Sequence, residues 1–291
     1  MWRTWSRAAA LLPELLPSAL PFVRRMTMQK GGFIRILAGA LMCMAVSACD
    51  VSEDDRPPTS RDFPRPYRPV SATGSNAFST EQIRDDRREA ETVMDLAAIT
   101  DGMTVADIGA GEGYYTVRLA ARVGPEGRVL AQDIDNSVLA RLGSRVERDR
   151  LDNVSVILGD TDDPRLPSGS FDRVFMVHMY HEIAEPYAFI WRMRPSLREG
   201  GQVIVVDVDR PADQHGINPQ LLFCEFERVG YRLVEFIRNP QIAGYYAQFE
   251  VAGKRPDPRD IEPCVQPGED FNELTISDDS SSGEDNDVQG S

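Results

Sequence analysis

From Phe78 to Gly253 the chain alternates short apolar runs with stretches whose apolar residues recur every three or four positions. The first pattern reads as buried strands and the second as amphipathic helices. Ser79 and Thr80 can cap a helix carrying Ile83, then Val93, Met94, Leu96 and Ile99, until Thr100-Asp-Gly102 stops it. Strands are expected at Thr104–Ile108, Arg128–Ile134, Val154–Leu158, Phe171–Val177 and Gln202–Val208. Helices are expected between them at Tyr114–Val123, Ser137–Arg148, Pro186–Leu197 (closed by Gly200-Gly201) and around Pro219–Val229. Tyr231–Arg238 and Tyr245–Ala252 read as a final antiparallel pair. Gln202–Val208 is almost wholly apolar, as expected of a strand covered on both faces. Strand–helix alternation with short connections predicts one doubly wound, Rossmann-like α/β domain with a mostly parallel sheet.

Composition adds the flanks. The chain has 291 residues, 42% of them hydrophobic, which suffices for one sizeable packed domain. Its net charge of −14 is unevenly placed. From Pro256 onward eleven acidic residues face one basic residue, Arg259, so 254–291 reads as a disordered acidic tail. No basic cluster offers a footprint for phosphates, which argues against a nucleic-acid partner.

Before Phe78 nothing has the texture of a folded domain. Lys30 and Arg35 precede the apolar run Ile36–Val46, which is too short to span a bilayer but suits a secretory signal. The run ends in Val46-Ser-Ala-Cys49, which resembles a bacterial lipobox, with Cys49 as the lipidated residue and a lipid anchor to the membrane. Asp50 follows, a residue that in enteric bacteria tends to keep lipoproteins at the inner membrane. The expected location is the periplasmic face of that membrane, or the cytoplasm if the signal reading fails. Met26 or Met28 as start would give a signal of ordinary length. Residues 1–49 are thus assigned to the signal region, 50–77 to a disordered tether and 78–253 to the domain. Cys224 and Cys264 remain; they can pair in an oxidising compartment, but Cys224, in a helical stretch beside Phe223, reads as a small core residue.

The chemistry centres on the turn after the first strand, Asp107-Ile-Gly-Ala-Gly-Glu-Gly113. Gly109 permits a tight turn, Gly111 a close ligand and Gly113 a helix starting close to the strand. The dinucleotide spacing G-x-G-x-x-G is absent, because position 114 is Tyr. A carboxylate at Asp107 would repel a pyrophosphate yet suits the ammonium of an amino-acid moiety. The second strand ends in Asp133, 20 residues beyond Gly113, where a carboxylate can accept two ribose hydroxyls. Asp135 is better placed to begin the next helix. The third strand ends at Asp160, which can accept from an adenine amine. These acids at successive strand ends select S-adenosylmethionine over a nicotinamide dinucleotide. Ala110, Ile134, Thr161 and His178 complete the expected cofactor contacts.

On these residues the stretch from Phe78 to Gly253 resembles a class I S-adenosylmethionine-dependent methyltransferase. Within that superfamily it is similar to a bacterial group carrying Asp107–Tyr115, Asp163-Pro-Arg-Leu-Pro167 and Tyr180-His-Glu182. The resemblance implies a seven-stranded sheet with the last strand antiparallel and the cofactor over the first strands. It covers about three-fifths of the chain and leaves the acceptor, a small molecule or a protein, undefined. His178 stands where the group often has an acid.

The loop after the fourth strand, His178-Met-Tyr-His-Glu182, faces the donor methyl in such folds and holds two of the three histidines. His181 is the candidate general base or acceptor-orienting group, or it only ties the loop to its neighbours through hydrogen bonds. Tyr180 packs on the adenosyl ring, lines the acceptor pocket or belongs to the core. His215, with Asp207, Asp209 and Asp213, and the segment Gln241–Tyr246 are further candidates to border that pocket. No metal is expected, since the spacing of His178, His181 and Glu182 offers no complete ligand set. The competing reading is a non-catalytic S-adenosylmethionine-binding lipoprotein, motivated by an anchor outside the compartment where the cofactor is made.

Overall fold

A computed structural model describes residues 55–73 and 80–265. The signal run, Cys49 and the acidic stretch after Val265 lie outside the described residues. In chain order the elements are α1 (Glu81–Asp86), α2 (Glu89–Leu96), β1 (Thr104–Ile108), α3 (Tyr114–Val123), β2 (Arg128–Asp133), α4 (Asn136–Asp149) and β3 (Val154–Leu158). Then follow β4 (Phe171–Val177), α5 (Pro186–Met193), β5 (Leu197–Asp207), α6 (Pro219–Arg228), β6 (Tyr231–Asn239) and β7 (Gly244–Val251). No helix among the described residues is long and apolar enough to cross a membrane.

The strands make one seven-stranded sheet in the order β3-β2-β1-β4-β5-β7-β6. The first five pair in parallel, and β7 runs antiparallel to both β5 and β6. Side chains alternate across β5: Val203 and Val205 pack with α5 and α6, while Ile204 and Val206 pack with α2 and α3. A continuous apolar run therefore means two cores, one on each face. Strand order reverses between β1 and β4, and open α/β sheets bind ligands at the strand ends beside such a switch. The Rossmann-like mixed sheet read from the sequence is the one observed.

Several boundaries move. The single helix expected up to Ile99 is two, α1 and α2, broken at Arg88, which adopts a left-handed conformation (φ 57°). The break places Glu89 in the interior, 2% exposed, where Arg84 pairs with it. The helix expected to run to Leu197 stops at Met193: Arg194 is still helical, but Pro195 has no N–H to continue the ladder, and a single 3-10 turn, Arg194–Ser196, follows. β5 then starts at Leu197 and passes through Gly200-Gly201, so those glycines lie within a strand. Asp135 caps α4, accepting from the N–H groups of Ser137 and Val138.

The flanks require larger corrections. Residues 55–73 were expected to be part of a tether; instead they form a packed strap. Arg56, 9% exposed, donates from Nε to Glu185 at 2.7 Å and from its Nη atoms to the carbonyls of Ser60 and Phe63. Ser60 donates to Asp162 at 2.7 Å, and Phe63 joins the core. Arg68 donates to Glu225 at 3.0 Å and to the carbonyls of His181 and Ile183 at 3.4 and 3.2 Å. Proline and arginine, read as marks of a solvated linker, here supply bends and buried donors. Residues 254–265, expected to belong to the disordered tail, are packed instead, with Ile261 and Cys264 buried. Cys224 is not a lone core thiol: it is bonded to Cys264, with their Cα atoms 6.0 Å apart.

Candidate active site

The turn from Gly109 to Gly113 sits over the switch point. Its three glycines all have left-handed φ, at 64°, 56° and 88°. A Cβ on Gly111 would have only the Gly109 carbonyl oxygen near it, at 4.0 Å, so the turn presents bare backbone to open space. A Cβ on Gly113 would instead strike the Leu142 side chain at 2.5 Å. Gly113 therefore lets α3 begin against α4. Gly109 lies against Met179, which joins this turn to the loop after β4.

Asp107, Asp133 and Asp160 stand at the carboxyl ends of β1, β2 and β3, three adjacent strands. Asp107 is 3% exposed and accepts from the Thr116 hydroxyl at 2.6 Å. Burial pushes its carboxyl up to about 6, against the opposing pull of that hydroxyl and of the Arg84 charge. Asp133 Oδ2 accepts from Gly111 N–H and Oδ1 from Asp135 N–H, both at 3.0 Å. A carboxylate offers about four lone-pair sites, so two ribose hydroxyls still find acceptors there. Asp160 accepts from Arg165 Nε at 2.7 Å. Ala110 is buried, with its N–H bonded to the Gln132 carbonyl at 2.9 Å, whereas Ile134 and Thr161 stand exposed beside their aspartates. Bare backbone, a buried acid for an ammonium and two further acids at the next strand ends fit the parts of S-adenosylmethionine.

His178 has a left-handed backbone (φ 55°), and its Nε2 lies 3.5 Å from Glu89 Oε1. Burial would raise Glu89, but hydrogen bonds from His178 and Arg84 outweigh it and hold the carboxyl down at about 2. Tyr115, in α3, also donates to Glu89 at 3.2 Å. The α1–α2 break thus clamps the helix that follows the glycine turn. Sequence reasoning missed Arg84 and Glu89, whose charges resembled any solvated helix face.

On the other side of the loop, His181 Nδ1 lies 2.9 and 3.0 Å from the two Asp207 oxygens, and both residues are fully buried. A carboxylate only accepts, so the imidazole carries a proton on Nδ1, and in its neutral form the lone pair lies on Nε2. Asp207 ends β5, an acid closing the apolar run Val203–Val206; that interruption was its signal in the sequence. His215 comes alongside, its ring 5.7 Å from that of His181. Ligand atoms of His181, Glu182 and His215 all lie within 4.8 Å of one another. His215, distant in sequence, thus joins His181 and Glu182 in space. Tyr180 is resolved as core: it is fully buried and donates to Glu225 at 2.7 Å. Tyr245 and Tyr246 are likewise buried, and Gln241 accepts from Thr92 of α2 at 3.3 Å.

A family model described as a methyltransferase domain matches residues 105–201. The chain is 31% identical over 111 residues to the protein-L-isoaspartate O-methyltransferase of Methanothrix thermoacetophila, covering 38% of this chain and 50% of that one. It is 28% identical over 120 residues to the ubiquinone/menaquinone biosynthesis C-methyltransferase UbiE of Idiomarina loihiensis, covering 40% and 47%. The chain therefore spans about half the length of these curated relatives, and they differ in the atom they methylate. In fold it is similar to an S-adenosylmethionine-dependent methyltransferase from Aquifex aeolicus, with TM-score 0.51 and 22% identity over 59% of this chain and 97% of that one. Residues 105–201 thus match a methyltransferase domain and lie within a Rossmann-like sheet, and the cofactor this likeness implies is S-adenosylmethionine.

Proposed function

We propose that the protein is an S-adenosylmethionine-dependent methyltransferase whose acceptor, a small molecule or a protein, is presented to the His181–Asp207 pair. The observation that carries this reading is the set of Asp107, Asp133 and Asp160 on three adjacent strand ends around the bare backbone at Gly111. When bound, the cofactor supplies a methyl group activated by a sulfonium. Asp107 would hold its ammonium, Asp133 its ribose hydroxyls and Asp160 its adenine amine. Ala110, Ile134, Thr161 and His178 flank these contacts. His181, its Nδ1 held by Asp207, would orient the acceptor or take its proton at Nε2.

Calorimetric titration with S-adenosylhomocysteine tests this. The intact chain is expected to bind one equivalent, and Gly111→Trp to abolish binding by filling the open space above the turn. Affinity is expected to fall as pH drops through about 6, where Asp107 takes up a proton and loses the charge that the ligand's ammonium requires. An intact chain that binds nothing would sink the reading. A screen with labelled donor then identifies the acceptor.

We further infer that the domain works outside the cytoplasm on a lipid anchor at Cys49. The Val46-Ser-Ala-Cys49 sequence motivates this, and the Cys224–Cys264 bond supports it, because structural disulfides persist in oxidising compartments. Palmitate labelling of the intact chain should be lost in Cys49→Ser; equal label in both would end the anchor reading.

A further inference from the structure

We propose that His181, Glu182 and His215 form a site for one divalent transition-metal ion at the ends of β4 and β5. Three observations converge on it. The first is distance: the three ligand atoms lie within 4.8 Å of one another, and His181 Nε2 is 4.0 Å from Glu182 Oε1. Around an ion bound at about 2.1 Å, neighbouring ligand atoms stand roughly 3–3.5 Å apart, so rotation of the half-buried Glu182 and His215 side chains closes the set.

The second observation is Asp207. Both its oxygens face His181 Nδ1, which fixes the tautomer and aims the Nε2 lone pair toward the cluster. A carboxylate behind an imidazole in this way orients metal-bound histidines and raises their basicity. The third is backbone support. Ser71 donates its N–H to the His181 carbonyl at 3.4 Å, and its hydroxyl accepts from His215 N–H at 3.2 Å. One residue of the strap therefore holds both histidine-bearing segments, so little ordering is left for the ion to impose.

Two imidazoles and one carboxylate suit Zn²⁺, Mn²⁺ or Fe²⁺; Mg²⁺ and Ca²⁺ prefer oxygen ligands throughout. Three protein ligands leave positions for water or an acceptor oxygen. On the methyltransferase reading the ion deepens the chemistry by acidifying a hydroxyl acceptor. The O–H bond breaks with its proton passing to solvent, the O–CH₃ bond forms, and the CH₃–S pair returns to sulfur, leaving a neutral thioether. His181 then acts on the acceptor through the ion, and the acceptor class is an alcohol or phenol.

The test uses the untagged full chain, stripped with chelator and titrated calorimetrically with Zn²⁺ and separately with Mn²⁺. One equivalent is expected to bind with a Kd at or below the micromolar range. Glu182→Gln and His215→Ala should each weaken binding at least about 10-fold, and Asp207→Asn roughly 10–100-fold. His178→Ala, which removes the remaining histidine, should leave it unchanged. Pulsed EPR of the Mn²⁺-loaded unaltered chain adds a readout that needs no variant, with two imidazole nitrogens expected at the ion. Absence of binding, affinity unmoved in both ligand variants, or fewer than two coupled nitrogens would each overturn the site. S-adenosylhomocysteine binding without metal binding removes this proposal alone, and metal binding without S-adenosylhomocysteine binding removes the cofactor reading alone.

Discussion

Replacing Arg68 with alanine is expected to remove about 3–5 kcal/mol of folding stability. Its guanidinium and the Glu225 carboxylate are buried, with side-chain exposures of 0% and 1%. Burial works against the Arg68 charge, but Glu225 outweighs that effect and holds the group more firmly protonated than usual. Removing the cation would strand Glu225, which also receives the Tyr180 hydroxyl, and would leave the carbonyls of His181 and Ile183 without their donor. The pair itself is not the main source of stability, since two well-packed neutral side chains can replace such pairs at little cost. Arg68→Met combined with Glu225→Gln should therefore recover most of what Arg68→Met loses alone. Urea unfolding of the oxidised variants measures both. A loss below about 1 kcal/mol in Arg68→Ala, a typical value for an exposed pair, would show that the strap is not packed in solution.

Reducing the Cys224–Cys264 bond is expected to cost about 4 kcal/mol. The bond closes a loop of sequence separation 40, and the chain-entropy estimate for such a loop gives this magnitude. It ties α6 to the last described residues, where Cys264 N–H donates to the Tyr187 hydroxyl at 2.7 Å. Without the bond these residues would keep that hydrogen bond, the Arg228–Glu262 pair and the packing of Ile261. Urea midpoints of the reduced chain and of Cys264→Ser should agree with each other and fall well below that of the oxidised chain. Identical midpoints in oxidised and reduced protein would refute the link. The two perturbations meet on α6, which carries both Glu225 and Cys224. Their effects should therefore couple in a double variant.

The core of the fold was legible because its signals are local. Apolar runs and helical spacing placed every strand, and the strand-end aspartates with the glycine turn stood within short windows. What misled were signals with two meanings. Pro195 and Gly200-Gly201 mark breaks, but spacing alone does not say whether a helix or a strand is broken. The Arg, Pro and Asp of residues 55–73 match the composition of a linker, and only pairing with Glu185, Asp162 and Glu225 turns them into buried contacts. Charges pair across more than a hundred residues, and local periodicity carries no trace of that.

By itself, then, the sequence determined the doubly wound sheet, the glycine turn and the acids at three successive strand ends, because strand ends and turns follow from patterns a few residues long. Tertiary structure decided which distant groups meet: Asp207 behind His181, His215 beside Glu182, Glu89 beneath the start of α3, Arg68 against Glu225, and Cys224 with Cys264. For Asp207 with His181 and His215 with Glu182 the physical reason is the parallel sheet. Each crossover returns the chain to the same edge, so residues from separate strand ends gather at one rim, and the sequence separation between them is set by the intervening helices.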